Sequence, residues 1–269
     1  MTSKRKPSMM AAAMKKTVVV GDVHGCFGEL MDLLAKFSYS PDRHNLVFLG
    51  DLVDRGPQSH EVVEWVMKNQ ENGVHCVAGN HDDKHFRYYK HHLKHRAHPN
   101  YEIPMKFGFS KLQVFNSLTD EELEFLGTLP AYLHLEESNW LVVHAGLEPR
   151  KPLEDQTYGK MTHIRYVNPE TLKTASLDDN YNPPPGSVYW TELYELPYNV
   201  VYGHNVHSRT RPEVVVRPNG AQLIGVDTGA CFGGHLTAFF VPEKGQPVTP
   251  DCFVQVPARA TYSNKLNRD

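Results

Sequence analysis

Three short apolar runs in the first third of the chain each stop at a glycine followed by a cluster of acidic, amide or imidazole side chains. Thr17-Val18-Val19-Val20 leads into Gly21-Asp22-Val23-His24-Gly25. Leu46-Val47-Phe48-Leu49 leads into Gly50-Asp51-Leu52-Val53-Asp54-Arg55-Gly56. Val74-His75-Cys76-Val77-Ala78 leads into Gly79-Asn80-His81-Asp82. Short β-rich runs ended by glycine read as buried strands, and the stretches between them carry helical periodicity. That alternation predicts a βαβαβ unit with a parallel sheet, whose ligands gather outside the carboxyl ends of the strands. Asp22, His24, Asp51, Asp54, Asn80 and His81 all fall at those ends, so they are expected at one edge.

Side chains in a strand alternate with period two, so the Asp-x-His pair Asp22 and His24 projects to one side and can share a cation. Asp51 has two carboxylate oxygens, enough to bridge that ion and a second one. Asn80 offers an amide oxygen. Two later strand-end histidines, in His144-Ala145-Gly146 and Gly203-His204, offer imidazole nitrogens for the second ion. Mixed oxygen and nitrogen donors suit two divalent ions, manganese foremost, with iron, zinc, cobalt or nickel as alternatives, better than calcium. Two ions about 3.5–4 Å apart bind and deprotonate a water, polarise phosphoryl oxygens and stabilise in-line displacement. His81, next to a ligand, is placed as a general acid for the leaving oxygen. Asp54 is placed to hold its other ring nitrogen, and Arg55 offers a planar fork for phosphate oxygens. Taken singly, each cluster has a plain explanation: a surface histidine, a core histidine, or a glycine marking a tight turn. Five clusters that jointly complete a two-metal ligand set do not.

The bulk numbers are those of an ordinary globular protein: 269 residues, 40% hydrophobic and 22% charged. That suits one large domain, expected over residues 17–257, with a cap insertion near 84–118. The formal net charge of −3 gives no reason to expect nucleic acid or membrane as partner. No run approaches the ~18 apolar residues of a membrane span. Four scattered cysteines without a C-x-x-C pair read as reduced thiols of a cytoplasmic protein. Residues 1–16, basic through Lys4, Arg5, Lys6, Lys15 and Lys16, read as a disordered tail, with a weak targeting peptide or a non-native extension as alternatives. A second tail is expected over 258–269.

Further along, Phe27, Leu30, Met31 and Leu34 have helical spacing, as do Val62, Val63, Val66 and Met67 behind Pro57. Residues 84–98 carry five Lys or Arg, five His and no acid. They fit either a solvated helix face or a positive funnel for a polyanion. Residues 99–117 have no clean period. Thr119-Asp120-Glu121-Glu122 is a capping box with Leu118 and Leu123 as its staple. Strands are expected over 131–135, 140–143 and 199–202, and residues 147–186 look loop-rich. Runs at 213–216, 222–226 and 235–241 read as antiparallel strands of a second sheet.

On the ordered motifs GD-x-HG, GD-x-x-DRG, GNH-D, HAG and GH, the chain resembles the calcineurin-like binuclear metallophosphoesterases of the phosphoprotein-phosphatase superfamily, from about Thr17 to Pro242. The resemblance implies a four-layer αββα sandwich with the metals between two mixed sheets. It places Asp22, His24 and Asp51 on one metal, and Asp51, Asn80, His144 and His204 on the other. His81 with Asp54 becomes the acid pair, and a metal-bridging hydroxide becomes the nucleophile. Arg55 and an arginine between HAG and GH, best matched by Arg165, bind phosphate. Protein phosphatases of this group usually carry L-R-GNHE, whereas here Ala78 stands at the arginine and Asp82 at the glutamate. That departure, Cys26, and the stretch from Asp227 to Ala238 resemble the bis(5'-nucleosyl)-tetraphosphatase branch. The stretch itself is expected to form a hairpin of the second sheet.

The expected activity is therefore metal-dependent hydrolysis of nucleoside polyphosphates or related polyanions. The alternatives are a serine/threonine protein phosphatase or general phosphomonoesterase acting on a phosphoprotein and, further off, a silent binding scaffold or a nucleic-acid module. A scaffold has no need of an intact ligand set, and the chain carries no nucleic-acid motif.

Overall fold

The structure is a computed structural model that describes residues 15–178 and 182–264. Most of the expected amino-terminal tail lies outside the described residues, but Lys16 already belongs to the first strand. The first half runs β1 (Lys16–Val20), α1 (Phe27–Lys36), β2 (His44–Phe48), α2 (Ser59–Lys68), β3 (Val74–Cys76), α3 (Asn80–Ala97), α4 (Phe109–Ser117) and α5 (Asp120–Leu126). It continues through β4 (Tyr132–Leu135), β5 (Trp140–Val143), α6 (Tyr158–His163), β6 (Tyr166–Val167), β7 (Thr174–Ala175) and β8 (Val188–Tyr189). The last five strands are β9 (Asn199–Tyr202), β10 (Glu213–Val216), β11 (Gln222–Gly225), β12 (His235–Phe240) and β13 (Phe253–Pro257).

Two five-stranded mixed sheets form the centre, in the orders β13-β12-β1-β2-β3 and β10-β11-β9-β5-β4. Within the first, β1, β2 and β3 are parallel, with Val20 opposite Phe48 and Phe48 opposite Cys76. Strand alternation divides their side chains between two cores. Val18, Val20, Leu46 and Phe48 face the helical layer of α1, α2, α3 and α5. Val19, Val47, Leu49 and Val77 face the other way, where they meet Trp140, Val142, Val201 and Ile224 of the second sheet. The rings of Trp140 and Phe239 lie 5.3 Å apart in this inter-sheet core. Leu141, Val143, Val200 and Tyr202 point outward onto Met161, Ile164 and Trp190. The fourth layer is thus thin, made of the six-residue α6, short turns and a small sheet ordered β7-β6-β8.

The second-sheet expectation is corrected at one strand. Strands β10 and β11 join the second sheet, but β12 lies in the first, antiparallel to β1 with Ala238 opposite Val20. Leu236, Thr237, Ala238 and Phe239 are all buried, which suits a strand covered on both faces. The stretch after β11 is accordingly no hairpin of one sheet. It crosses from the second sheet to the first and passes the strand ends on the way. β11 is parallel to β9, so its carboxyl end sits at the same edge as His204.

Residues 109–117, without period in the sequence, form α4. Residues 147–186 hold α6 and the small sheet as well as loops. The capping box of α5 is present, with Glu122 N–H donating to Thr119 Oγ1 at 3.1 Å and Thr119 N–H to Glu122 Oε2 at 2.8 Å. The start of the expected carboxyl tail is pinned to α1. Arg259 donates to both carboxylate oxygens of Asp32 at 2.9 Å, and Tyr262 hydroxyl donates to Glu29 Oε1 at 3.0 Å.

Candidate metal centre

Every clustered residue lies just beyond the carboxyl end of a parallel strand, as the open-sheet rule requires. Asp22 and His24 follow β1, Asp51, Asp54 and Arg55 follow β2, and Asn80 and His81 open α3 after β3. His144 follows β5 and His204 follows β9. All but Arg55 are buried. The loops are welded to one another: His24 N–H donates to Asp51 O at 2.8 Å, Gly56 N–H to His24 O at 2.9 Å, and Gly203 N–H to His144 O at 2.7 Å.

These bonds hold a strained backbone. His24, Asp51, Asp54, Arg55 and His204 all have φ between +46° and +71°, a left-handed region that side chains with a Cβ seldom enter. Each such residue costs on the order of 1–3 kcal/mol and persists only where the surroundings over-determine it. Strain is concentrated where side chains must be aimed inward.

The donors converge on Asp51. His24 Nε2 lies 3.3 Å from Asp51 Oδ2, and His144 Nε2 lies 3.5 Å from Asp51 Oδ1. His144 Nε2 is also 3.0 Å from Asn80 Oδ1 and 3.1 Å from His204 Nδ1. Two sets of potential donors, His24 with Asp51 and His81, and Asp51 with His144 and His204, each fit within 4.8 Å. Asp22 belongs to neither set, and its Oδ2 accepts from His204 N–H at 3.0 Å. Nδ1 of His24 is tied to Val53 O and Nδ1 of His144 to Leu49 O, each at 2.8 Å, which leaves Nε2 of both rings for a metal.

The electrostatics suit cations. Burial, together with Asp227 and Asp51, pushes the Asp22 carboxyl well above its usual range. Burial also drives Asp51 upward, but His144, His81, His24 and Arg55 outweigh it and hold that carboxyl far below. Burial pushes His24, His144 and His204 below the usual imidazole range, toward the neutral form that ligates. Asp22 Oδ1 is buried without a hydrogen-bond partner, and a Cβ on Gly203 would collide with it. Crowded carboxylates, neutral imidazoles and an orphaned oxygen are a donor set that divalent cations satisfy.

His81 and Asp54 are brought together, with His81 Nδ1 at 2.5 Å from Asp54 Oδ2. Burial favours a protonated Asp54, yet hydrogen bonds from His81 and His85 prevail and keep its carboxyl well below the usual range. Arg55 stacks over the Phe232 ring at 5.0 Å and reaches the His24 ring nitrogen. Arg165 is buried near His204 and Asp227. It lines a cavity of about 750 Å³ with Lys160 and His163.

Three site features were not read from the sequence as chemistry. His85 Nε2 lies 2.8 Å from Asp54 Oδ1. It follows His81 by four residues, so helical spacing could have placed it on the same face, and α3 does bury His81, His85 and Tyr89 together. Asp82 braces two motif loops, accepting from Leu52 N–H at 2.9 Å and Gly79 N–H at 3.1 Å, and burial with Asp51 pushes its carboxyl up to about 8. Asp227 reaches the centre through the crossing after β11, and burial pushes it up to about 6. The solvated half of α3 has local partners: Arg87 pairs with Asp83 at 2.6 Å and Arg96 with Asp120 at 2.8 Å.

Comparison with known proteins agrees with this fold. The profile of the calcineurin-like phosphoesterases matches residues 15–236. A bis(5'-nucleosyl)-tetraphosphatase PrpE [asymmetrical] of Halalkalibacterium halodurans is 31% identical over 263 residues, 90% of this chain and 93% of that protein. A protein of the same name from Oceanobacillus iheyensis is 29% identical over 85% of this chain and 90% of its own length. A crystal structure described as a candidate diadenosine tetraphosphatase superposes with a TM-score of 0.71 at 28% identity, covering 93% of this chain and 96% of that one. The chain belongs to the calcineurin-like phosphoesterase family, and it is a hydrolase of that family.

Proposed function

We propose that the chain is a divalent-metal-dependent hydrolase of nucleoside polyphosphates, with dinucleoside tetraphosphates as its principal substrates. Family membership implies a pair of divalent cations. The observation that carries the reading is Asp51, shared by two donor sets, with the His81–Asp54 pair beside them. Asp22, His24 and Asp51 would hold one cation, and Asp51, Asn80, His144 and His204 the other. Bound there, divalent ions supply a more acidic attacking water and Lewis acidity toward phosphoryl oxygens.

The protein's own groups do the rest. Arg55 and Arg165 bind non-bridging phosphate oxygens from two sides and orient phosphorus for in-line attack. His81, held by Asp54 through Nδ1, delivers a proton to the departing oxygen. Ala78, where protein phosphatases of the superfamily carry a second phosphate-clamping arginine, favours an anhydride substrate over a phosphoprotein. The names of the PrpE relatives point the same way.

Manganese is the proposed metal, because the donors are mixed carboxylate, amide and imidazole. No helix among the described residues is long and apolar enough to cross a membrane. The proposed setting is the cytoplasm, where Cys26, Cys76, Cys231 and Cys252, all unpaired in the structure, would stay reduced. Incubation with Mn²⁺ and diadenosine tetraphosphate, polyphosphate or a phosphoserine peptide tests the reading. The dinucleotide should be turned over with the highest kcat/KM, and turnover of the peptide alone would replace this function by protein dephosphorylation.

A further inference from the structure

A cavity of about 690 Å³ opens beside the acid pair, lined on one side by Asp54, Arg55 and His81 and on the other by Ser110, Lys111 and Gln113 of α4. Its size is that of a nucleotide-binding pocket. Lys111 Nζ is buried and lies 3.7 Å from Asp54 Oδ2, so the insertion delivers an ammonium to within reach of the proposed proton donor.

We propose that this cavity is the leaving-group subsite, and that Lys111 binds the second phosphate of a polyphosphate substrate. The inference rests on the function proposed above and adds a residue no motif contains. His81 is among the residues lining this cavity, so a leaving group that takes its proton from His81 can extend into it. For a dinucleoside polyphosphate that group is itself a phosphate chain, whose next phosphate carries further negative charge. Among the described residues, two positive groups border the space, Arg55 from the β2 loop and Lys111 from α4. A desolvated ammonium near a carboxylate already shared by two imidazoles is well placed to exchange that contact for a phosphate. A simple monoester has no second phosphate, so Lys111 discriminates between substrate classes.

Lys111→Met keeps the aliphatic stem and removes the charge, with Lys111→Gln in reserve if that variant does not fold. On the Mn²⁺-loaded enzyme, kcat/KM for diadenosine tetraphosphate should fall about ten- to hundredfold, the weight of a hydrogen bond to a charged group. The fall should reside mainly in KM and exceed the loss on p-nitrophenyl phosphate by about tenfold or more. Lys111→Arg should restore most of it. Equal losses on both substrates would make Lys111 a structural partner of Asp54 and overturn the proposal, as would no loss on either. If the native enzyme turns over p-nitrophenyl phosphate but not the dinucleotide, the substrate reading fails by itself. Lys111 is then judged by tripolyphosphate binding in the presence of excess Mn²⁺. A Kd weakened about tenfold in Lys111→Met supports the subsite, and an unchanged Kd removes it.

Discussion

The Asp54 carboxylate is shared: His81 Nδ1 sits 2.5 Å from one oxygen and His85 Nε2 sits 2.8 Å from the other. His85 is fully buried, with its ring 5.0 Å from that of Phe107 and stacked on Phe115 at 6.4 Å. Asp54 therefore cannot rotate without losing a bond to one imidazole, which would make His85 a positioning residue for His81, the proposed proton donor. His85→Leu should lower kcat about tenfold, as loss of an orienting partner does, and more for phenyl phosphate than for p-nitrophenyl phosphate. A poor leaving group depends more on its proton. His85→Gln retains a donor and should restore much of the loss. A leaving-group series on the three proteins reads the result, and equal losses across the series would make His85 mere packing.

Removing a proton donor and removing a metal bridge have different signatures. His81→Ala should lower turnover by roughly 10²–10⁴-fold while metal content stays near two per chain. Asp51→Asn should lose metal and activity together, since both donor sets depend on that carboxylate. Elemental analysis beside kinetics separates the two cases.

Much of the candidate site is legible in the sequence because its proposed ligands sit at strand ends, where one topological rule collects them. Asp22, His24, Asp51, Asn80, His144 and His204 needed only a strand, a glycine and a side chain each. His85, Asp227 and Lys111 were hidden for different reasons. His85 lies within a basic stretch whose charge masks its single buried face. Asp227 depends on β12 joining the first sheet, and the apolar pattern of 235–240 suits either sheet equally well. Lys111 lies on a helix whose residues show no helical period, because only Phe115 of α4 is buried.

The cysteines give a chemical test of the packing. Cys26 and Cys231 are buried, and burial, the first cause in each case, raises both thiols far above the ordinary range. Cys76 is raised in the same way, while Cys252 is partly exposed. The thiolate is the reactive form. A disulfide reagent at pH 8 should therefore modify one thiol per chain quickly and the other three only on unfolding. Fast reaction of two or more in the native protein would contradict the burial around the first motif.

Gly203 bears on the metal centre through space. It precedes His204, its N–H donates to His144 O at 2.7 Å, and any Cβ placed on it would run into Asp22 Oδ1. The glycine of this motif is required by close approach of β9 to the end of β1, since positive φ occurs at His204 instead. Gly203→Ala should push Asp22 away from His204 and weaken metal binding, with the sheets intact because the core side chain nearest the new Cβ, Leu49, stands at an ordinary contact distance of 3.4 Å. A divalent metal bound only by the native state raises stability by mass action, about 2.7 kcal/mol at a hundredfold excess over Kd. Native protein should thus melt several degrees higher with Mn²⁺ than with a chelator, and Gly203→Ala should show little of that difference while melting close to the chelated native protein. A variant that retained the full metal-dependent shift would show that Asp22 is not among the residues holding the cations.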